Sequence, residues 1–212
     1  MNHSKLLMYS LIDCTAPSDA MIDDCLKRLT DSDSVTQAER MGWDSSVTKR
    51  IVTKDGFQYD YAFNRSIDMG DIYKEWAIKN VSPDAFDFRV VTTPKGAPIK
   101  GPHVDHTRNY TLIYLLESGG QDHETCFYKD IAEDSPIMPP GTFRDDLSQV
   151  QKVAGIQVPL RSWTLLNAHV LHGVENIPLG RMALQVSIDQ VEHLQLVDPY
   201  YYFPPLHCLG TK

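Results

Sequence analysis

The sequence has few cysteines and no long apolar run. Its four cysteines are Cys14, Cys25, Cys126 and Cys208, and no two of them form a C-x-x-C pair. Disulfide frameworks belong to shorter chains with denser cysteine, so we expect free thiols. No apolar run approaches the roughly 18 residues that a membrane-spanning helix needs, and residues 1–20 lack the apolar core of a secretory signal. These absences predict a cytoplasmic protein without a membrane span.

Basic residues are also in the minority. The chain has 20 Lys and Arg against 28 Asp and Glu, a formal net charge of −8. Binding a nucleic-acid backbone takes a basic face, so we expect no nucleic-acid partner. The G-x-S-x-G, P-loop and G-x-G-x-x-G motifs are missing from the sequence, which leaves hydrolase, NTPase and dinucleotide-binding hypotheses without support.

The first part of the sequence favours helices. Ser18 is a good N-cap for a helix over residues 19–30. The apolar residues of that segment recur at helical spacing and should face a core: Ile22, Cys25, Leu26 and Leu29. A second helix is expected over residues 71–80, with Ile72 and Trp76 on one face.

The rest of the sequence favours short strands. Residues 94–103 contain three prolines and predict a loop, as do residues 135–141. Strand-like segments cover residues 86–93, 110–117, 125–129, 163–167, 170–174 and 181–189. Helices followed by many short strands predict a mainly β fold, a sandwich or barrel with flanking helices on one face.

We expect the 212 residues to form a single domain with three parts. These are a helical or irregular N-terminal part (1–85), a β core (86–190) and a C-terminal tail (191–212). The tail contains the aromatic segment PYYYFPPLH. It is either a terminal segment packed over the domain or a lid or dimer contact.

His103 and Asp105 are the most informative pair in the sequence. Side chains two apart in an extended segment point the same way, so the two can hold one metal ion. A facial triad needs a second histidine from elsewhere. We choose His172, in the segment HGVEN. His169 is a local rival, but the two would face opposite ways in a strand, so only one of them can be the ligand. His106 is expected to be exposed or to lie behind the ligands.

Arg181 lies nine residues after His172 and begins a segment that alternates cleanly. One side carries Arg181, Ala183, Gln185 and Ser187, and the other carries Met182, Leu184, Val186 and Ile188. An arginine inside a barrel needs an anionic partner, and its planar guanidinium binds a carboxylate through two hydrogen bonds. A metal site beside such a group suits a keto-diacid that chelates the metal. Lys100 and Arg108 lie near the site in sequence and either meet an anionic substrate or are solvated loop charges.

These motifs resemble a known family. HVD at 103–105, HGV at 172–174 and an arginine nine residues later are similar to the Fe(II)- and 2-oxoglutarate-dependent dioxygenases. The strand RNYTLIYLL, then Gly119-Gly120 and Thr125-Cys126-Phe127, is similar to the prolyl-hydroxylase-like branch. The resemblance covers residues 86–190 and implies a double-stranded β-helix, the jelly roll of cupin type.

The resemblance also implies an activity. His103, Asp105 and His172 would hold Fe(II), with 2-oxoglutarate and dioxygen in the remaining positions and Arg181 on the distal carboxylate of 2-oxoglutarate. The products would be succinate, carbon dioxide and a hydroxylated peptide, amino acid or small molecule. Halogenating relatives have a small residue where Asp105 stands, so hydroxylation is expected.

The strand after HxD departs from the family pattern. Relatives often place a co-substrate-binding tyrosine where Leu115 stands, and Ala183 replaces the serine of their R-x-S pair. Thr111, on the same strand face as Leu115, is therefore a further candidate contact. Three alternatives stay open: a cupin-type metalloenzyme that does not use 2-oxoglutarate, a zinc-dependent hydrolase, and a non-enzymatic cupin-like binding module.

Overall fold

A computed structural model describes residues 5–31, 35–36, 49–52, 58–61, 65–93, 95 and 99–203. Its helices are α1 (Asp19–Asp31), α2 (Asp71–Asn80) and a short 3-10 helix (Leu147–Gln149). The strands are β1 (Leu6–Ile12), β2 (Val35–Thr36), β3 (Lys49–Val52), β4 (Gln58–Tyr61), β5 (Arg65–Asp68), β6 (Asp87–Thr93), β7 (Ile99–His103), β8 (Tyr110–Glu117), β9 (Glu124–Asp130), β10 (Val150–Ile156), β11 (Trp163–Asn167), β12 (His172–Glu175), β13 (Arg181–Ile188) and β14 (Leu196–Tyr202).

The strands form two main antiparallel sheets. The larger has the order β14-β1-β11-β8-β13-β6-β5-β2 and the smaller β10-β9-β12-β7, while β3 and β4 form a separate pair. A buried cluster joins the sheets, since Phe127 of β9 packs with Met8 of β1 and Leu166 of β11. Two facing antiparallel sheets are the arrangement of a jelly roll, and the predicted mainly β architecture is confirmed.

The larger sheet separates two interiors. Tyr114 of β8 and Leu184 of β13 face a core that includes Ile22 of α1 and Ala77 of α2. The alternate residues face the smaller sheet, among them Ala183. The two faces predicted for β13 are therefore those observed. Tyr114 packs on Trp163, with ring centroids 5.2 Å apart, so it points away from the space between the sheets.

The helices pack on the outer face of the larger sheet. The Ser18 hydroxyl accepts a hydrogen bond from the Met21 N–H at 3.2 Å, as expected of the N-cap of α1. The face predicted for α2 is wrong in part, because Ile72 is 74% exposed. The buried residues are Tyr73 and Ala77, one turn apart, and the Tyr73 ring packs against Phe88 of β6.

Several strands were not predicted. β1 stands between β11 and β14, inside the part expected to be helical or irregular, and β10 pairs with β9. The loop predicted over residues 94–103 is wrong in its second half. Residues Ile99–His103 form β7, the edge strand of the smaller sheet, which pairs with β12 and also meets Phe143 through an isolated bridge at His103. Its Pro102 is tolerated because proline fits strands at a sheet edge.

The C-terminal tail is packed in its described part. β14 pairs with β1 at the edge of the larger sheet, and the rings of Tyr200 and Tyr9 stack at 5.0 Å. Residues 204–212 of the tail, which include the PPLH end of the aromatic segment, lie outside the described residues. Cys14, Cys25 and Cys126 are free thiols as predicted, and Cys208 also lies outside. Among the described helices, none has the length and apolar character to span a membrane.

Candidate metal and co-substrate site

The structure brings His103, Asp105 and His172 together; they are called the triad below. His103 ends β7 and His172 begins β12, and the two are direct partners in the ladder. Their ring centroids are 4.5 Å apart. Asp105 follows β7 in a loop, and its Oδ1 lies 3.7 Å from His103 Nε2. One ligand atom from each residue lies within 4.8 Å of the others, which is close enough for all three to bind one ion.

Backbone carbonyls orient both histidines of the triad. His103 Nδ1 lies 2.9 Å from the Gly101 carbonyl oxygen, and His172 Nδ1 lies 2.9 Å from that of Val170. These contacts place the N–H on Nδ1 and leave the Nε2 lone pair for a metal. His103 Nε2 is buried and has no hydrogen-bond partner among the described residues. Burial lowers the pKa of both histidines, which keeps them neutral, the form that binds metals.

Arg108 orients Asp105. Its Nε and Nη2 both lie 2.8 Å from Asp105 Oδ2, so Oδ1 is left toward His103. Burial alone would raise the pKa of Asp105, but the charges of Arg108 and the neighbouring histidines hold it well below its usual range. Arg108 Nη1 also donates to Ser187 Oγ at 3.0 Å. The solvated-charge interpretation of Arg108 is therefore wrong, since its side chain is only 14% exposed and holds a candidate ligand.

A cavity of about 550 Å³, including its open mouth, lies between the two sheets. Two members of the triad, Asp105 and His172, border it. So do both residues expected to contact a co-substrate, Arg181 and Thr111. Leu115, in the position where relatives often have tyrosine, is buried against Ala183 and Val158 instead.

Arg181 is a buried cation without an anionic partner among the described residues. Its Nη1 donates to Thr125 Oγ1 at 3.2 Å, while Nη2 is buried and makes no hydrogen bond there. Burial lowers its pKa to about 10. Unpaired buried charge is costly, so this guanidinium is suited to a carboxylate that enters the cavity. Thr111 Oγ1 lies 3.2 Å from the oxygen of the Gln185 amide when that oxygen faces it.

The two histidines that we set aside lie elsewhere. His169 Nε2 is hydrogen-bonded to Asn109 Oδ1, and His106 is exposed, with its ring next to Gly141. Neither borders the cavity. Lys100 does border it, although the sequence placed this residue in a loop.

A second group with metal-binding side chains comprises Glu124, Cys126 and Glu175. Lys152 forms ion pairs with both glutamates, and Tyr128 donates a hydrogen bond to Glu175 Oε1. Burial raises the pKa of the Cys126 thiol to about 12. This group is already compensated by protein charges, whereas the triad has a buried nitrogen that lacks a partner among the described residues.

Comparison with solved structures identifies the fold. One similar structure is SnoK, the non-haem α-ketoglutarate-dependent carbocyclase of nogalamycin biosynthesis. The two sequences are 12% identical, the alignment covers 93% of this chain and 92% of SnoK, and the TM-score is 0.53. The epimerase SnoN, in complex with Fe³⁺, α-ketoglutarate and nogalamycin RO, is also 12% identical, with coverage of 94% and 91% and a TM-score of 0.52. A Pseudomonas putida prolyl-4-hydroxylase is 13% identical, with coverage of 87% and 94% and a TM-score of 0.46.

At these identities the similarity shows a shared fold. The chain has the double-stranded β-helix of the 2-oxoglutarate-dependent oxygenases, which confirms the predicted fold and the resemblance at that level. No protein-family model matches the sequence, and no curated protein does.

Proposed function

We propose that the chain is an Fe(II)- and 2-oxoglutarate-dependent oxygenase that hydroxylates a small molecule or a peptide. The observation that carries the proposal is a pair of unmatched buried groups in one site. His103 Nε2 lacks a partner among the described residues, and so does Arg181 Nη2, a cation suited to a carboxylate. A chelating keto-diacid bound to a metal on the triad would satisfy both. SnoN, which shares the fold, was solved with iron and α-ketoglutarate.

Each residue then has a defined task. The triad would hold Fe(II) through two imidazole Nε2 atoms and Asp105 Oδ1, a donor set typical of non-haem iron. Bound iron supplies the oxidative chemistry that converts 2-oxoglutarate, dioxygen and a C–H bond into succinate, carbon dioxide and a C–OH group. Arg181 would bind the distal carboxylate of 2-oxoglutarate, and Thr111 is a further contact proposed on the same wall. Arg108 keeps Asp105 ionised and turned toward His103.

The lining of the cavity favours a site from which water is excluded. Ile113, Leu166, Val174 and Ala183 supply apolar surface around the polar groups. Hydrogen bonds and ion pairs are stronger in such surroundings, and reactive species are kept from water.

The test is an anaerobic titration of the metal-free protein with Fe(II) and then 2-oxoglutarate. Chelation of the metal by 2-oxoglutarate should give a weak charge-transfer band in the visible range. We expect the band in the wild type, its loss in Asp105→Ala and His172→Gln, and its weakening in Arg181→Met. His169→Gln is the matched control, because His169 does not border the cavity.

The alternatives predict other results. Tight Fe(II) binding without a band would reject the use of 2-oxoglutarate and favour a cupin-type metalloenzyme. Absence of stoichiometric metal binding would favour a binding module. Hydrolytic activity that survives without oxygen would favour a zinc hydrolase.

A further inference from the structure

Lys100 reaches the cavity because β7 contains a β-bulge. His103 pairs with His172 and Lys100 pairs with Val174, so three steps on β7 match two steps on β12. In a regular strand, residues three apart point to opposite faces, whereas one extra residue restores the same face. The bulge therefore turns Lys100 into the cavity that Asp105 and His172 also border.

Gly173 makes the bulge possible. It lies between the two partners His172 and Val174 on β12, and a Cβ at this position would lie 2.5 Å from the Lys100 carbonyl oxygen. Any larger residue would force the two strands apart. The bulge in β7 and the glycine opposite it in β12 together direct the Lys100 side chain into the cavity.

The cavity carries more positive than negative charge. Among its described lining residues the cations are Lys100, Arg108 and Arg181, and Asp105 is the anion. Arg108 is committed to Asp105, and Arg181 is bound to the Thr125 hydroxyl. No carboxylate of a described residue forms an ion pair with Lys100. Burial and the charges of Arg108 and Arg181 lower the pKa of Lys100 to about 8, although Asp105 opposes them.

We propose that Lys100 is a second carboxylate-binding residue of the cavity, additional to Arg181. A half-buried ammonium without a protein anion is stabilised by an anionic ligand, and an organic carboxylate suits the polar and apolar lining around it. The carboxylate belongs either to 2-oxoglutarate or to an acidic prime substrate. That choice rests on the proposed function, whereas carboxylate binding itself does not.

The experiment measures carboxylate binding rather than turnover. Glutarate has the two carboxylates of 2-oxoglutarate but no keto oxygen, so it reports on the cationic lining without chelation. It is titrated by calorimetry into the metal-free wild type, Lys100→Met, Lys100→Arg and the control Lys79→Met, which removes an exposed lysine of α2. 2-Oxoglutarate is titrated into the same proteins loaded with Mn(II). Butyrate stands in for the acid group of a prime substrate, and its binding is measured by saturation-transfer NMR. For this measurement the protein is loaded with Zn(II) instead of Mn(II) and saturated with 2-oxoglutarate.

Two results support the proposal and separate its forms. If Lys100→Met weakens glutarate and 2-oxoglutarate binding by about 10- to 100-fold, while Lys100→Arg and Lys79→Met do not, Lys100 binds the co-substrate. If 2-oxoglutarate binding is unchanged but the butyrate signal disappears in Lys100→Met alone, Lys100 binds an acid group of the prime substrate.

A third result overturns the proposal. In this result Lys100→Met binds glutarate, 2-oxoglutarate and butyrate with affinities within twofold of those of the wild type. A failure of the proposed function would give a different result. Glutarate binding would still depend on Lys100, but the metal-loaded protein would not bind 2-oxoglutarate. If Lys100→Met does not fold, reductive methylation of the wild type decides. Protection of Lys100 by glutarate, relative to Lys79, supports the proposal, and equal labelling with and without glutarate rejects it.

Discussion

Replacing Arg181 with methionine should stabilise the ligand-free protein and greatly reduce its stabilisation by 2-oxoglutarate. Burial lowers the pKa of Arg181 from 12.5 to about 10, which corresponds to a cost of about 3 kcal/mol for keeping the charge there. The variant also loses the hydrogen bond to Thr125, worth about 1.5–2 kcal/mol. The difference predicts a net gain of about 1–1.5 kcal/mol in the free energy of unfolding, in line with replacements of buried charges by apolar residues.

The stabilisation of the protein by bound 2-oxoglutarate should decrease in this variant. At a 2-oxoglutarate concentration of about 100 Kd, the metal-loaded wild type gains about 2.7 kcal/mol of stability. If the loss of the Arg181 contact raises Kd about 100-fold, the same concentration equals Kd and the gain falls to about 0.4 kcal/mol. Urea unfolding with and without 2-oxoglutarate, in the presence of Mn(II), measures both quantities.

Arg144→Met is the matched control. Arg144 is paired with both carboxylate oxygens of Asp130 and does not border the cavity. Its loss should destabilise the protein and leave the 2-oxoglutarate response intact. The reasoning is refuted if Arg181→Met destabilises the ligand-free protein and still responds to 2-oxoglutarate like the wild type, because Arg181 would then be a structural residue.

Three further predictions follow from the site. Arg108→Met should weaken Mn(II) binding about 10- to 100-fold, because Asp105 loses its orienting partner; equal affinity by calorimetry would contradict this. Gly173→Ala should lower the free energy of unfolding by about 1–3 kcal/mol, because its Cβ would lie 2.5 Å from the Lys100 carbonyl oxygen; an unchanged urea midpoint would show that the strands can separate freely. The metal-free protein should lose stability as pH falls below 6.5, since both triad histidines have pKa values below that ordinary value and the unfolded chain takes up protons first; stability independent of pH between 7.5 and 5 would contradict it.

Some features of the site were predictable because they depend on local periodicity. The two faces of β13 follow from alternation along one strand, and so does the inward position of Arg181. The N-cap and buried residues of α1 follow from spacing within a few turns. Ile72 shows the limit of this approach. The rings of Tyr73 and Trp76 both contact Phe88 of β6, whereas Ile72, one turn before Trp76, stays exposed.

The candidate metal ligands were proposed from the spacing of His103 and Asp105 and from the family pattern that relates His172 to Arg181, but their meeting depends on strand register. His103 and His172 are 69 positions apart in the sequence and become neighbours only because β7 pairs with β12. The sequence placed β7 in a loop on account of the three prolines in residues 94–103, of which β7 contains Pro102. An edge strand tolerates such residues, and edge position is a property of the whole sheet.

The sequence by itself therefore determined which residue types form the candidate site, the face of β13 that carries Arg181 and the mainly β architecture. Only the tertiary structure decided that Arg108 binds Asp105, that a bulge turns Lys100 into the cavity and that β1 lies between β11 and β14. The physical reason is the range of the interactions. Alternation and capping act between residues a few positions apart, whereas register, bulges and ion pairs across sheets depend on partners brought together from distant parts of the chain.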